Sequence, residues 1–301
     1  IDNKNLHTFS TSLLNKNMDE TKYQKIVSER YGTLHHNYLF KHQDAEKFLE
    51  KCIWMYDYPL HHPNIISSYL MSSLARENNI KVLLSGDGAD ELFVGYLWDF
   101  EDLNGPTSAE NIVNSNSYLP FELTSKLFNF SNNDISSRYK LIEDVNDNHV
   151  AKSLLNQRAF LDKWLQRQDR AGMFASVEIR VPYCNVELFK NINSVSFEEK
   201  TENGKVSKFL LKKIAENYLP NEIVYRKKIG FSIPLEDWFR DKKGFGLLLS
   251  YLEDDTFKSR SFYNHKFISY LIKNHLSKKG NYGRVLWTLI NIELWHRIFI
   301  D

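Results

Sequence analysis

The sequence predicts an α/β fold, a parallel sheet with flanking helices, followed by an all-helical part. Over residues 1–104 short apolar runs alternate with helical stretches, the pattern of strands joined by helices that cover the sheet. From residue 105 onward strand signals nearly vanish and apolar residues recur at helical spacing. The chain therefore divides into an α/β part, 1–104, and a helical part, 105–301.

Residues 6–14 make the first expected strand, and 18–31 a helix with Tyr23, Ile26, Val27 and Tyr31 on one face, ended by Gly32. A second strand is expected at 34–40. Helices follow at 44–56 and 64–78, the latter closed by Glu77-Asn78-Asn79, and a third strand at 80–84. In the second part helical patterns cover 133–168, 205–219 and 262–276. The last pattern, 282–300, aligns Val285, Leu286, Leu289, Ile290 and Leu294 on one apolar face, which should pack back on the core. The Asn- and Ser-rich stretches 104–117 and 129–137 read as loops, too short to separate independent domains.

Composition narrows the function classes. With 42% hydrophobic and 26% charged residues among 301, the chain is neither a disordered tail nor a fibre. Lys and Arg number 39 against 38 Asp and Glu, so no whole-chain field draws the protein to nucleic acid or to an anionic membrane. No apolar run approaches the roughly 18 to 20 residues a spanning helix needs, and the expectation is a soluble chain without a membrane partner. Cys52 and Cys184 make neither a disulfide framework nor a Cys-based zinc site, which fits a reducing cytoplasm. Ile1 stands where an initiator Met or a signal peptide would, so the chain reads as starting within a longer polypeptide.

The segment richest in chemistry is 81–96, where Val82-Leu83-Leu84 runs straight into Ser85-Gly86-Asp87-Gly88. A buried strand ending in glycines brings backbone amides close to a ligand, at the strand end where open α/β sheets bind one. By spacing alone the segment is equally well a strand-to-helix turn capped by Asp87 or Asp90. Asp87, Asp90 and Glu91 tip the balance, because acids so close together beside glycines call for a cation or a polar ligand. His35-His36 and His61-His62 invite a metal reading, but adjacent side chains on a strand point to opposite faces and no further ligand pattern supports it. The aromatic residues fit a core better than a base-stacking surface.

Ser85-Gly-Asp-Gly-Ala-Asp-Glu-Leu-Phe-Val-Gly-Tyr96 resembles the second nucleotide-site motif of the asparagine synthetase family, with Val94 in place of the first glycine of a Gly-Gly pair. Two further segments match in the family's order. Asp169-Arg170 through Ser176, Glu178, Arg180, Pro182 and Tyr183 resembles Asp-Arg-x-x-Met-x-x-Ser-x-Glu-x-Arg-Val-Pro-Phe, and Arg226-Lys-Lys228-Ile-Gly230-Phe231 through Pro234 resembles Arg-x-Lys-x-Gly-Phe-x-x-Pro. Upstream, Thr8-Phe9-Ser10, Asp19-Glu20 and Gly32-Thr-Leu-His35-His36 are similar to landmarks of its nucleotide domain. The resemblance covers nearly the whole chain.

It implies an adenine-nucleotide α-hydrolase-like fold of the ATP pyrophosphatase type and an enzyme that adenylates a carboxylate with ATP and Mg2+, releases pyrophosphate and admits ammonia. Aspartate is the first candidate substrate, another carboxylate such as a sugar acid or a peptide the second. A non-catalytic binding or assembly partner is the alternative from another class. The family's ammonia comes from a glutaminase domain whose cysteine nucleophile neither Cys52 nor Cys184 can supply, and a homodimer is compatible with the resemblance. Carried onto this chain, Lys228 stabilises the adenylate transition state, against the plain reading of a solvated Arg226-Lys227-Lys228 run. Asp87, where many members carry Glu, is base for the attacking ammonia or a magnesium contact. Ser85, Gly86, Asp87 and Thr11 contact the nucleotide. Asp90, Glu178 and Arg180 bind or order the carboxylate substrate, with an internal salt bridge between the last two as the plain alternative. Cys184-Asn185 stands where the family continues Leu-Asp.

The family's pyrophosphate loop, Ser-Gly-Gly-x-Asp-Ser, belongs upstream of Thr8, and no two glycines are adjacent anywhere in this sequence. The resemblance therefore places the strand leading into that loop between the strands at 6–14 and 80–84, which should lie about 9 to 10 Å apart and share no ladder.

Overall fold

The computed structural model describes residues 6–60, 62–100, 108–115, 117–129, 136–229 and 233–301. His61, Gly230 and Phe231 lie outside them, as does much of the two stretches read as loops.

β1 (His7–Leu13) and β2 (Leu34–Phe40) run parallel, in register from His7↔Leu34 to Leu13↔Phe40. The period-two alternation decides what each face does. Leu13, Tyr38 and Phe40 turn to the main core. On the other face Ser10 donates to Gln24 Oε1 at 2.9 Å, and Ser12 to Asn37 Oδ1 at 2.7 Å. Between the strands, α1 (Thr21–Tyr31) ends on Gly32, whose φ of 60° is the left-handed conformation glycine adopts without cost. α2 (His42–Tyr56) starts earlier than expected because Asp44 lies inside its first turn, its Oδ2 accepting from Lys41 N at 2.9 Å. α3 (Asn64–Glu77) matches its expected start and buries Ile65, Ile66, Tyr69 and Leu70.

β3 (Val82–Leu84) pairs in parallel with β4 (Glu178–Arg180), Val82↔Glu178 to Leu84↔Arg180. This corrects the expectation that the second part is all-helical. Glu178-Ile179-Arg180 is three residues with charged flanks, too short for alternation to register, and it is placed by the left-handed turn at Ser176 that ends the preceding helix. Among the described residues the strands form two two-stranded ladders, and β1 shares none with β3. The stretch read as a loop at 104–117 also needs correction, since it contains the helix Ala109–Ser115.

One core runs through both parts. Phe40, Leu49, Ile53 and Ile66 from the first pack with Phe239, Phe245, Trp287 and Ile290 from the second. Each large side chain so buried contributes about 1.5–3 kcal/mol, which makes the two parts one packing unit. The C-terminal helix Gly283–Phe299 packs back as its apolar face suggested. Glu293, fully buried on it, is held by Arg260 Nε at 2.6 Å and Arg297 Nε at 2.8 Å, and charge pairing of this kind is what lets a carboxylate stay buried.

Candidate active site

The loop after β3 is built by backbone constraints the sequence encodes residue by residue. Ser85 N donates to Arg180 O at 2.9 Å, which carries the ladder one step past Leu84. Gly88, at φ 91°, then turns the chain into the short helix α4 (Ala89–Phe93), and a Cβ on it would meet Cys184 Sγ at 2.9 Å. Gly95 is required differently, because a Cβ there would fall 1.9 Å from Asp90 Oδ1. Val94 adopts φ 58°. For a β-branched residue that conformation costs about 1–2 kcal/mol, which gives the glycine of the family motif a physical reason and makes Val94 a strained substitute.

Asp87 is engaged on both carboxylate oxygens. Arg167 Nη2 donates to Oδ1 at 3.1 Å and Gln168 Nε2 to Oδ2 at 2.8 Å, while the Ser85 hydroxyl also donates to it. Both partners come from the helix Leu161–Phe174, and the Arg167 guanidinium lies 4.8 Å from the Trp164 ring centre. Neither Arg167 nor Gln168 was singled out by sequence, although they immediately precede the Asp169-Arg170 motif. Arg170 itself turns outward to Asp57 Oδ2 at 2.9 Å.

Asp90 gathers two lysines. Lys228 Nζ lies 2.9 Å and Lys208 Nζ 3.0 Å from its Oδ1. Burial pushes the Asp90 carboxyl up, but the two ammonium groups outweigh it and hold it below the ordinary value. Lys228 also donates to Gly95 O at 3.2 Å and sits 4.6 Å from the centre of the Tyr96 ring. That ring stacks on Trp98 at 4.2 Å, and its hydroxyl donates to the buried Glu91 while accepting from Trp164 Nε1 at 3.1 Å. Glu91 therefore orients the loop from within.

Behind the loop, Asp99 accepts from Asn156 Nδ2 at 2.8 Å. Burial pushes its carboxyl up to about 6, against the Asn156 hydrogen bond and the charge of Lys152. The folded value lies above the ordinary one, so this group's stabilising contribution is complete in acid and is lost as pH rises through about 6. Asp99→Asn keeps the oxygen that Asn156 needs. It is expected to raise stability at neutral pH by about 1–2 kcal/mol, with no gain near pH 4, as read from urea unfolding midpoints. No gain at neutral pH would mean that balancing Lys152 outweighs the cost of burial.

The remaining sequence candidates divide between the strand beside β3 and the other ladder. Glu178 and Arg180 pair with each other at 2.8 Å on exposed positions of β4. Thr11 sits on β1, its carbonyl accepting from Gln24 Nε2 at 3.0 Å, in the ladder that does not include Ser85. Asn185 caps the helix Val186–Asn193, its Oδ1 accepting from Glu187 N at 3.0 Å and Leu188 N at 3.1 Å. Asn caps about as well as Asp, so the uncharged residue keeps the turn. His35 and His36 point to opposite faces as adjacent strand residues should: His35 meets Thr8 and Ser10, and His36 meets His7 at 2.9 Å.

A model of the family described as asparagine synthase matches residues 2–297. The chain belongs to this family. It is 26% identical over 340 aligned positions to the glutamine-hydrolysing asparagine synthetase 1 of Bacillus subtilis (strain 168), covering 98% of this chain and 52% of that protein. To asparagine synthetase 3 of the same organism it is 29% identical over 230 positions, 73% of this chain and 37% of the relative. To asparagine synthetase 1 of Saccharomyces cerevisiae it is 25% identical over 241 positions, 75% and 34%. The chain thus spans about half the length, or less, of these curated relatives. Among the described residues no helix is long and apolar enough to cross a membrane.

Proposed function

We propose that this chain is the synthetase portion of an ATP-dependent amide-forming enzyme. A carboxylate is joined to AMP, pyrophosphate leaves, and ammonia attacks the acyl-adenylate. The observation that carries the reading is the closure of Lys228, from the third motif, onto Asp90 of the first, just beyond the C-terminal end of β3. A partly exposed ammonium fixed there can stabilise charge developing on phosphate oxygens. Ser85, Gly86, Asp87 and Thr11 are assigned to the nucleotide. Gly86 suits close approach, since nothing lies within 4 Å of where its Cβ would be. Asp87 is assigned the proton of the attacking ammonia, and the exposed Glu178 and Arg180 are assigned to the carboxylate substrate.

Among the described residues no group of three or more His, Cys, Asp or Glu could hold a metal ion, and Asp87 and Asp90 already face cations. Mg2+ is assigned to the ATP phosphates. Aspartate as acceptor and ammonia from a glutaminase domain are suggested by the names of the relatives. The α/β part, 1–104, is assigned the nucleotide and the part 105–301 the completion of the site. β1 pairs only with β2, and β3 only with β4, among the described residues. The resemblance to the family assigns the strand bearing the pyrophosphate loop to the place between them. The test is product analysis of the full-length protein with Mg-ATP, aspartate and glutamine. AMP and pyrophosphate in step with asparagine are expected, and ADP with phosphate would overturn the reading.

A further inference from the structure

We infer that Arg226 is a positioning residue for Lys228, acting through an ion pair with Glu20 that ties the lysine-bearing loop to the start of α1. The inference rests on the role given to Lys228 above. Arg226 Nη1 pairs with Glu20 Oε1, both side chains about three-quarters buried at 27% exposure, and its guanidinium lies 4.9 Å from the Tyr23 ring centre. A second tie runs alongside, from Tyr31 hydroxyl to Tyr218 O at 2.8 Å. Both attach α1 to the segment leading into the loop. Two residues on, Lys228 reaches the other way, to Asp90, Gly95 and Tyr96.

The anchors sit on different ladders. Glu20 follows β1 and Asp90 follows β3, and these strands share no pairing among the described residues. Both anchors come after the C-terminal end of a parallel strand, the edge at which a ligand is bound. Arg226 and Lys228 are separated by two peptide units, so their Cα atoms are at most about 7 Å apart. Fixing one end of so short a span fixes the other. Lys227, between them, is exposed and takes no part in either anchor. The ion pair is partly solvated and contributes little to global stability, yet a shift of the lysine by about 1 Å can cost up to about a hundredfold in rate. Activity should therefore fall much further than stability when the pair is broken.

The test uses the full-length protein and follows pyrophosphate release and thermal unfolding for Glu20→Arg, Arg226→Glu, the double reversal, and Lys228→Ala alone and with Arg226→Glu. Each single reversal is expected to lower kcat about tenfold with little change in KM for ATP or in unfolding temperature. The double reversal should recover at least threefold of that loss, and Arg226→Glu should add no further loss once Lys228 is Ala. If a reversal unfolds the protein, Glu20→Gln and Arg226→Lys, expected to lower kcat about threefold, take its place. Fully multiplicative effects of Arg226 and Lys228, or single variants within twofold of wild type while Lys228→Ala is impaired, would overturn the inference. A Lys228→Ala variant of undiminished activity would overturn the reading of the site, and the role of Arg226 with it.

Discussion

Lys228→Ala is expected to lower the turnover of pyrophosphate release by about a hundredfold or more, while Lys227→Ala stays within about twofold. The two lysines are adjacent, equally charged and indistinguishable by composition. The difference lies in what they touch. Lys228 is held by Asp90 at 2.9 Å and by Gly95 O at 3.2 Å over the Tyr96 ring, beside the strand-end loop, whereas Lys227, also on an exposed position, makes none of these contacts. A cation held in place before the reaction needs no reorganisation as charge moves onto the leaving pyrophosphate, which is where the hundredfold comes from. Lys208, the second lysine on Asp90, sharpens the comparison. Lys228→Ala leaves Asp90 paired with Lys208 at 3.0 Å, so the loop should keep its shape and the loss should fall on kcat without a fall in unfolding temperature. Equal effects at 227 and 228 would mean that the basic run is a solvated face.

Much of this arrangement was legible in the sequence, and what was not has identifiable physical causes. The second strand was read at its observed limits of Leu34–Phe40, and the turn at Gly32 was read from glycine's freedom at positive φ. Lys208 was missed because it sits in a run of basic and apolar residues that looks like one helix. In the structure it has φ 54° just before the helix Phe209–Ala215, and its backbone N donates to Val94 O at 3.2 Å. Only tertiary docking brings it to Asp90. Arg167 and Gln168 were missed for a related reason. On an isolated helix they are two polar residues in a polar stretch, and their meaning depends on Asp87 arriving from a loop about eighty positions earlier in sequence, a separation no local pattern registers. The same non-local pairing hides β4, whose three residues become a strand only against β3.

Asp87→Asn is expected to leave exchange of pyrophosphate into ATP largely intact while lowering amide formation by about a hundredfold or more, the scale of losing a general base. The structure adds a complication that decides how the experiment must be done. Asp87 is the counter-ion of Arg167 at 3.1 Å, and their side chains are 15% and 11% exposed. Neutralising the carboxylate alone strands a mostly buried guanidinium, and breaking such a pair costs about 3–5 kcal/mol when fully buried, somewhat less at this exposure. Lost activity in the single variant would therefore mix lost chemistry with lost structure. Asp87→Asn with Arg167→Met separates them, because replacing the cation by an apolar side chain removes the unpaired charge, and most of the stability should return in urea unfolding. If Asp87 takes the proton from ammonia, the double variant still exchanges pyrophosphate and still makes almost no amide. If amide formation recovers with stability, the work of Asp87 is to balance Arg167, and the base lies elsewhere. Loss of exchange in a stably folded double variant would instead place Asp87 in the adenylation half of the reaction.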